Sequence, residues 1–154
     1  MTEKKEEKIK LQTHLKFEGD PLFGKIEEHK EGRVLATLKI RHEMKADKDG
    51  LIHNGFIFSS ASYIAAVTVN KKYGFVIGSI VNFLSPVREG DVIEFEATTE
   101  QKNGKKRVVD IVGRIGDIKV FVGEFTVAIM ERHILSVDLD EIETEIRKKN
   151  SNDE

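Results

Sequence analysis

The groups best able to polarise a carbonyl in this chain stand together at His53-Asn54-Gly55. They precede a charge-free run, FIFSSASYIAAVTVN, that ends at Asn70. A helix starting there aims unpaired backbone N–H groups and the positive end of its dipole outward, which suits a developing oxyanion. Gly55 lets a ligand approach the backbone closely, and Asn54 is the better capping residue. His53 either bonds to backbone at an interface or contacts a ligand. Ser59, Ser60 and Ser62 follow on the same helix, but without the G-x-S-x-G elbow of a serine nucleophile. Small hydroxyl residues on a buried helix either permit close packing or, at Ser59 and Ser62, face a ligand cleft. Positions 54–70 hold no carboxylate, and a lone serine without a base is a poor nucleophile at neutral pH.

Other constellations are thinner. Asp47-Lys48-Asp49-Gly50 imitates half a calcium loop, yet that register puts Lys45 first and Phe56 twelfth, where carboxylates are needed. His14, His29, His42, His53 and His133 have no metal-ligand spacing, so no metal site is expected. The glycines form neither a dinucleotide nor a P-loop pattern. Asn103-Gly104-Lys105-Lys106-Arg107 reads as a basic hairpin tip. It is either a solubilising turn or a contact for a phosphate or anionic partner, with Arg88 a second candidate for that contact. Asn82 lies in the apolar run FVIGSIVNF, where its amide needs a structural partner or a ligand amide.

Composition narrows the setting. The chain has 154 residues, enough for one domain with a proper core. It carries 25 Lys+Arg against 27 Asp+Glu, a net charge of −2, which argues against a nucleic-acid binder. No cysteine is present, so disulfides and thiolate chemistry are excluded. MTEKKEEKIK has no apolar core of a secretory signal, and no run approaches the roughly 20 apolar residues of a membrane span. The expectation is a soluble, cytoplasmic protein that engages neither membrane nor nucleic acid.

The elements that must position these residues follow from hydropathy. Ile9–Phe17 alternates as an extended segment, and GKIEEH leads into a turn at Lys30-Glu31-Gly32. Residues 33–41 alternate as a half-buried strand. The run 54–70 is a helix, buried nearly all round because it lacks a polar face. Residues 75–83, apolar on both faces, read as an inner strand. Strands over 92–100, 107–115 and 118–131 follow, consecutive and antiparallel through hairpins. Residues 138–149 form a short surface helix, opened by Asp138 and Glu141 as an acidic capping box. The divisions are a charged N-terminal extension (1–20), the main domain (21–135), and a short helix with a charged tail (136–154).

A greasy central helix followed by antiparallel strands calls for one sheet wrapped around it, the α+β hotdog arrangement. HNGFIFSSASYIAAVTVN resembles the HGG…F…AD…A segment opening the central helix of PaaI-like hotdog thioesterases. VNFLSPVREGDVIEFEATTEQKNGKKRVVDIVGRIGDIKVFVGEFTVAIM is similar to the strands that follow it in those enzymes. It is also similar to the malonyl-CoA-binding effector domain of the bacterial fatty-acid-synthesis regulator. The resemblance covers about residues 22–131. It implies a homodimer or dimer of dimers, with acyl-CoA at the subunit interface as ligand or substrate and no other cofactor. The setting it implies is bacterial fatty-acid metabolism.

The resemblance places the family's catalytic acid at Ser62 and its loop amide at or near Asp47. Asp47, Asn54, Gly55 and Ser62 are therefore the catalytic candidates. His53, Asn54, Gly55, Phe56, Phe58, Ser59, Asn82, Phe83, Arg88, Lys105 and Lys106 are the ligand-binding candidates. The acyl group is expected along Phe56, Phe58 and Phe83. Because Ser62 replaces the acid, the function expected is acyl-CoA binding with weak or absent hydrolysis and a regulatory role. The alternative is an active thioesterase using Asp47 or Glu43. A hydratase would require a His–carboxylate pair, and His53 has no acidic partner on its helix.

Overall fold

Alternation of apolar and polar residues builds the sheet. The computed structural model describes residues 9–100 and 104–152. β1 (Lys25–Lys30), β2 (Arg33–Lys39), β3 (Gly74–Phe83), β4 (Val92–Thr99), β5 (Lys106–Ile115) and β6 (Ile118–Ile129) form one antiparallel sheet in the order β1-β2-β4-β5-β6-β3. α1 (Asn54–Val69) packs against β2, β3, β4, β5 and β6, and α2 (Leu139–Asn152) follows the last strand. The α+β hotdog arrangement is as the sequence implied.

On β2, β4 and β5 the buried residues are every second one: Val34, Ala36 and Leu38, then Ile93, Phe95 and Ala97, then Val109 and Ile111. Each large side chain removed from water here contributes about 1.5–3 kcal/mol. One cross-sheet row runs Ala36, Phe95, Gly113, Phe121. The Phe95 and Phe121 rings meet edge to face at 5.9 Å. They occupy the space a side chain at Gly113 would need, since a Cβ there would stand 3.0 Å from Phe95.

Three expectations need correction. Ile9–Phe17 is not a strand: it is an irregular strap with a single 3-10 turn at Leu15–Phe17. Its alternate residues are anchored by ring packing rather than by a ladder. KIEEHK, read only as a lead into a turn, is the edge strand β1; with Ile26 as its one strong apolar residue, it is held by pairing to β2. β3 is not an inner strand within the chain. It pairs with β6 alone and leaves Phe75, Ile80 and Phe83 exposed. The helix over 138–149 is present and runs on to Asn152. Asn103 of the hairpin tip lies outside the described residues.

The strap crosses α1 and is fastened at both ends of its contact. Thr13 is buried, and Phe17 stacks on Phe23 at 3.8 Å while both meet Tyr63 of α1 edge-on. Asn70 caps α1 in the left-handed conformation (φ 51°), and its side-chain amide reads the strap's backbone as a strand would. Its Oδ1 accepts from the Gln12 N–H at 2.9 Å and its Nδ2 donates to the Lys10 carbonyl at 3.0 Å. Asn70→Gly preserves the cap and removes the clamp, so a loss of about 1 kcal/mol is expected in urea unfolding. Asn70→Ala adds the left-handed penalty and should lose about 1 kcal/mol more. Equal stability of Asn70→Gly and the native chain would show that the clamp carries nothing.

Candidate functional site

The N-terminus of α1 is held in place by two connections at one end of the sheet. The turn after β3 meets the end of β2, where the Ile40 N–H donates to the Asp91 carbonyl at 2.8 Å. Glu89 then latches the loop leading to α1: Lys45 Nζ lies 3.1 Å from one carboxylate oxygen and His42 Nδ1 3.5 Å from the other. These partners lower the Glu89 pKa, Lys45 foremost. The His53 N–H donates to the Met44 carbonyl at 3.0 Å and closes the loop. Nothing in the sequence marks Glu89 for this role, because its partners lie more than forty positions away.

His53, not Asn54, is the cap. His53 has extended backbone (φ −75°, ψ 120°) and makes no side-chain capping bond, while Asn54 is already the first helical residue. The His53 imidazole instead folds over Gly55: a Cβ at Gly55 would stand 2.6 Å from Nε2. The ring also meets Phe56 edge-on at 6.0 Å. Gly55 thus makes room for a histidine as well as for a ligand.

At 100° per residue, α1 presents three flanks. Ile57, Ala61, Ile64 and Ala65 face the sheet and are buried. Ser60, Tyr63 and Val67 face β1 and the strap, with Ser60 Oγ donating to the Phe23 carbonyl at 2.9 Å. Gly55, Phe58, Ser59 and Ser62 form the third flank, which this chain leaves partly open. Ser60 is therefore structural, whereas Ser59 and Ser62 face the open side. Phe58 lies 5.8 Å from the Phe125 ring and Phe83 lies 5.6 Å from Phe121. Phe83 pairs with Phe121 across the ladder and so shares the face that carries α1.

Other candidates lie elsewhere. Asn82 alternates with Phe83 and points to the opposite face of the sheet, with Val122. Lys106 pairs with Ala128, and Gly74, just past the end of α1, pairs with Ile129. Lys105 and Lys106 therefore sit beside the end of α1, which at 16 residues is about 24 Å from its start. Lys105 faces Glu131 at 3.8 Å and Lys106 Nζ donates to Asn150 at 3.4 Å. Arg88 is exposed in the turn beside Glu89, at the starting end.

The two loop carboxylates are engaged. Asp47 Oδ1 accepts from the N–H groups of Asp49 and Leu51, at 2.9 and 3.0 Å, and shapes its own loop. Glu43 is gripped by Arg41 at both oxygens, each at 3.1 Å, and that bonding pulls its pKa down. A carboxylate made more acidic is a weaker base.

The six-stranded sheet and its central helix define a hotdog protein. A family model described as the thioesterase superfamily matches residues 49–122. A sigma28-regulated virulence protein of Campylobacter jejuni has the same fold at TM-score 0.77 and 36% identity, over 81% of this chain and 88% of that one. An uncharacterized protein of Pyrococcus horikoshii matches at TM-score 0.77 and 32% identity, over 82% and 97%. The chain is a member of the hotdog superfamily, similar over residues 49–122 to its thioesterases. Among curated proteins, the methylthioribose-1-phosphate isomerase of Aquifex aeolicus is 41% identical over 75% of this chain. The chain spans only 25% of that relative's length. A hypothetical thioesterase of Streptococcus pneumoniae, solved with coenzyme A, shares the fold at 20% identity and TM-score 0.63, over 71% and 87% of the two chains. The PaaI protein of Escherichia coli does so at 21% and 0.62, over 70% and 83%.

Proposed function

We propose that this protein binds an acyl-CoA thioester at the start of α1 and hydrolyses it slowly or not at all, in a regulatory capacity. The observation that carries the reading is the open flank of α1. It offers helix-start N–H groups beside Gly55 and apolar walls at Phe58 and Phe83, with Ser62 where a catalytic acid would stand. The coenzyme A held by the S. pneumoniae neighbour supports the ligand class. The ligand is read as lying across a homodimer, because the open flank and the uncovered β3 edge adjoin. Pairs of such dimers extend the same reading. A cytoplasmic location accords with a CoA ligand, and no described helix is long and apolar enough to cross a membrane.

Native mass spectrometry after incubation with a panel of acyl-CoAs tests oligomer and ligand together. One acyl-CoA per subunit is expected on a dimer. Gly55→Ala should weaken that binding at least tenfold, since the new methyl and the displaced His53 ring intrude on the helix start, while the fold persists. Undiminished affinity would place the ligand elsewhere. The second reading, a thioesterase run by Asp47, requires thiol release that Asp47→Ala abolishes.

A further inference from the structure

The flank of α1 that faces β1 and the strap encloses a second space, away from the open flank. A cavity of about 230 Å³ lies there, walled by Ile9 and Leu11 of the strap and Ile26 of β1. Five polar or charged side chains also line it: Tyr63, His29, Glu18, Lys25 and Glu27. Tyr63 is 3% exposed, and its hydroxyl makes no hydrogen bond among the described residues. No enclosed polar atom is left without a partner among those residues, so that hydroxyl keeps its small exposure toward the cavity. A buried tyrosine normally finds a partner for its O–H.

We propose that this cavity binds a small amphipathic amine, one per chain, between the strap and α1. The size argues for the body: an apolar cavity of about 150 Å³ accepts benzene, so this one takes a phenyl ring with a short chain. The polar groups argue for the charge. Burial, and secondarily the negative charge of Glu18, raise the Tyr63 pKa, so its hydroxyl keeps its proton. Lys25 and Glu27, exposed like Glu18, pair at 3.7 Å, so the three charges that line the space sum to one negative charge. Burial lowers the His29 pKa against the opposing pull of the Val67 backbone, so the neutral ring has a nitrogen able to accept from an ammonium. Tyr63 then supplies the one hydroxyl left over. An anion of the same shape would meet Glu18 with like charge.

The test uses the full chain and two isosteric probes, 2-phenylethylamine and 3-phenylpropionate, in calorimetric titrations at pH 7. The amine should bind with unit stoichiometry and at least tenfold more tightly than the acid. Tyr63→Phe keeps the ring packing and should weaken the amine about five- to tenfold. Glu18→Gln should narrow the gap between the two probes. Gly55→Ala should leave amine binding unchanged, so this site stands or falls apart from the thioester site. Equal affinity for both probes, binding that survives both Tyr63→Phe and Glu18→Gln, or no binding of either probe would overturn the proposal and leave a hydrated void.

Discussion

Ser62→Asp is expected to raise thiol release from a bound acyl-CoA by about 10²-fold over the native chain. A positioned general base contributes roughly 10²–10⁴, and the proposed site already has the helix-start N–H groups and the open flank. Ser62 lies two turns into α1 on the open flank, on the same side as Gly55 and Ser59, so a carboxylate there faces the ligand instead of the core. The lower end of the range is the fitting one, because the flank is apolar and a subunit closing over it would desolvate the acid. Desolvation raises a carboxyl pKa, so the gain should be small at pH 6 and grow toward pH 8 as the base ionises. Thiol release followed from pH 6 to 9 on both proteins reads this directly. A native chain that already turns over briskly, and loses that activity on Asp47→Ala, would overturn the binding reading. So would a Ser62→Asp variant that binds acyl-CoA normally and gains nothing at any pH.

The central helix was legible because periodicity failed there: a charge-free run flanked by His53-Asn54 and Asn70 has to be enclosed. The strands that alternate strictly, β2 and β4, were legible for the opposite reason, and β5 and β6 through the turns that bound them. β1 was not, since an edge strand such as KIEEHK needs little apolar content and is defined by the partner it pairs with. The strap was mistaken for a strand because Leu11, Thr13 and Phe17 alternate while packing around α1. Of the site, the helix start and the Ser62 position could be read locally. The Glu89 latch and the placement of Asn82 on the far face could not, because both depend on register and long-range contact. The cap moved from Asn54 to His53 because the loop bond to Met44 fixes where helical backbone begins.

Ile80→Lys is expected to turn a dimer into a monomer and to abolish acyl-CoA binding with it. The argument begins with what β3 lacks. An edge strand normally protects itself with charges, proline, a short length or a cover. β3 has ten residues, GFVIGSIVNF, and not one of them is charged or proline. Ile80 is 70% exposed, and Leu84 just beyond the strand is 52% exposed. Such an edge either aggregates or is paired, and two copies of it can pair about a two-fold axis that brings Ile80 near its own equivalent. Two ammonium groups forced together there should weaken association by at least 100-fold, since opposing like charges at an interface costs several kcal/mol. The chain itself should tolerate the change, because Ile80 faces Glu124 across the ladder and a lysine gains a partner. Sedimentation at micromolar concentration should therefore give a dimer for the native chain and a monomer of unchanged circular dichroism for the variant. If the monomer still binds acyl-CoA with native affinity, the site is complete within one chain and the interface reading fails. If the native chain is itself a soluble monomer, the bare edge has some other protection and the dimer is wrong.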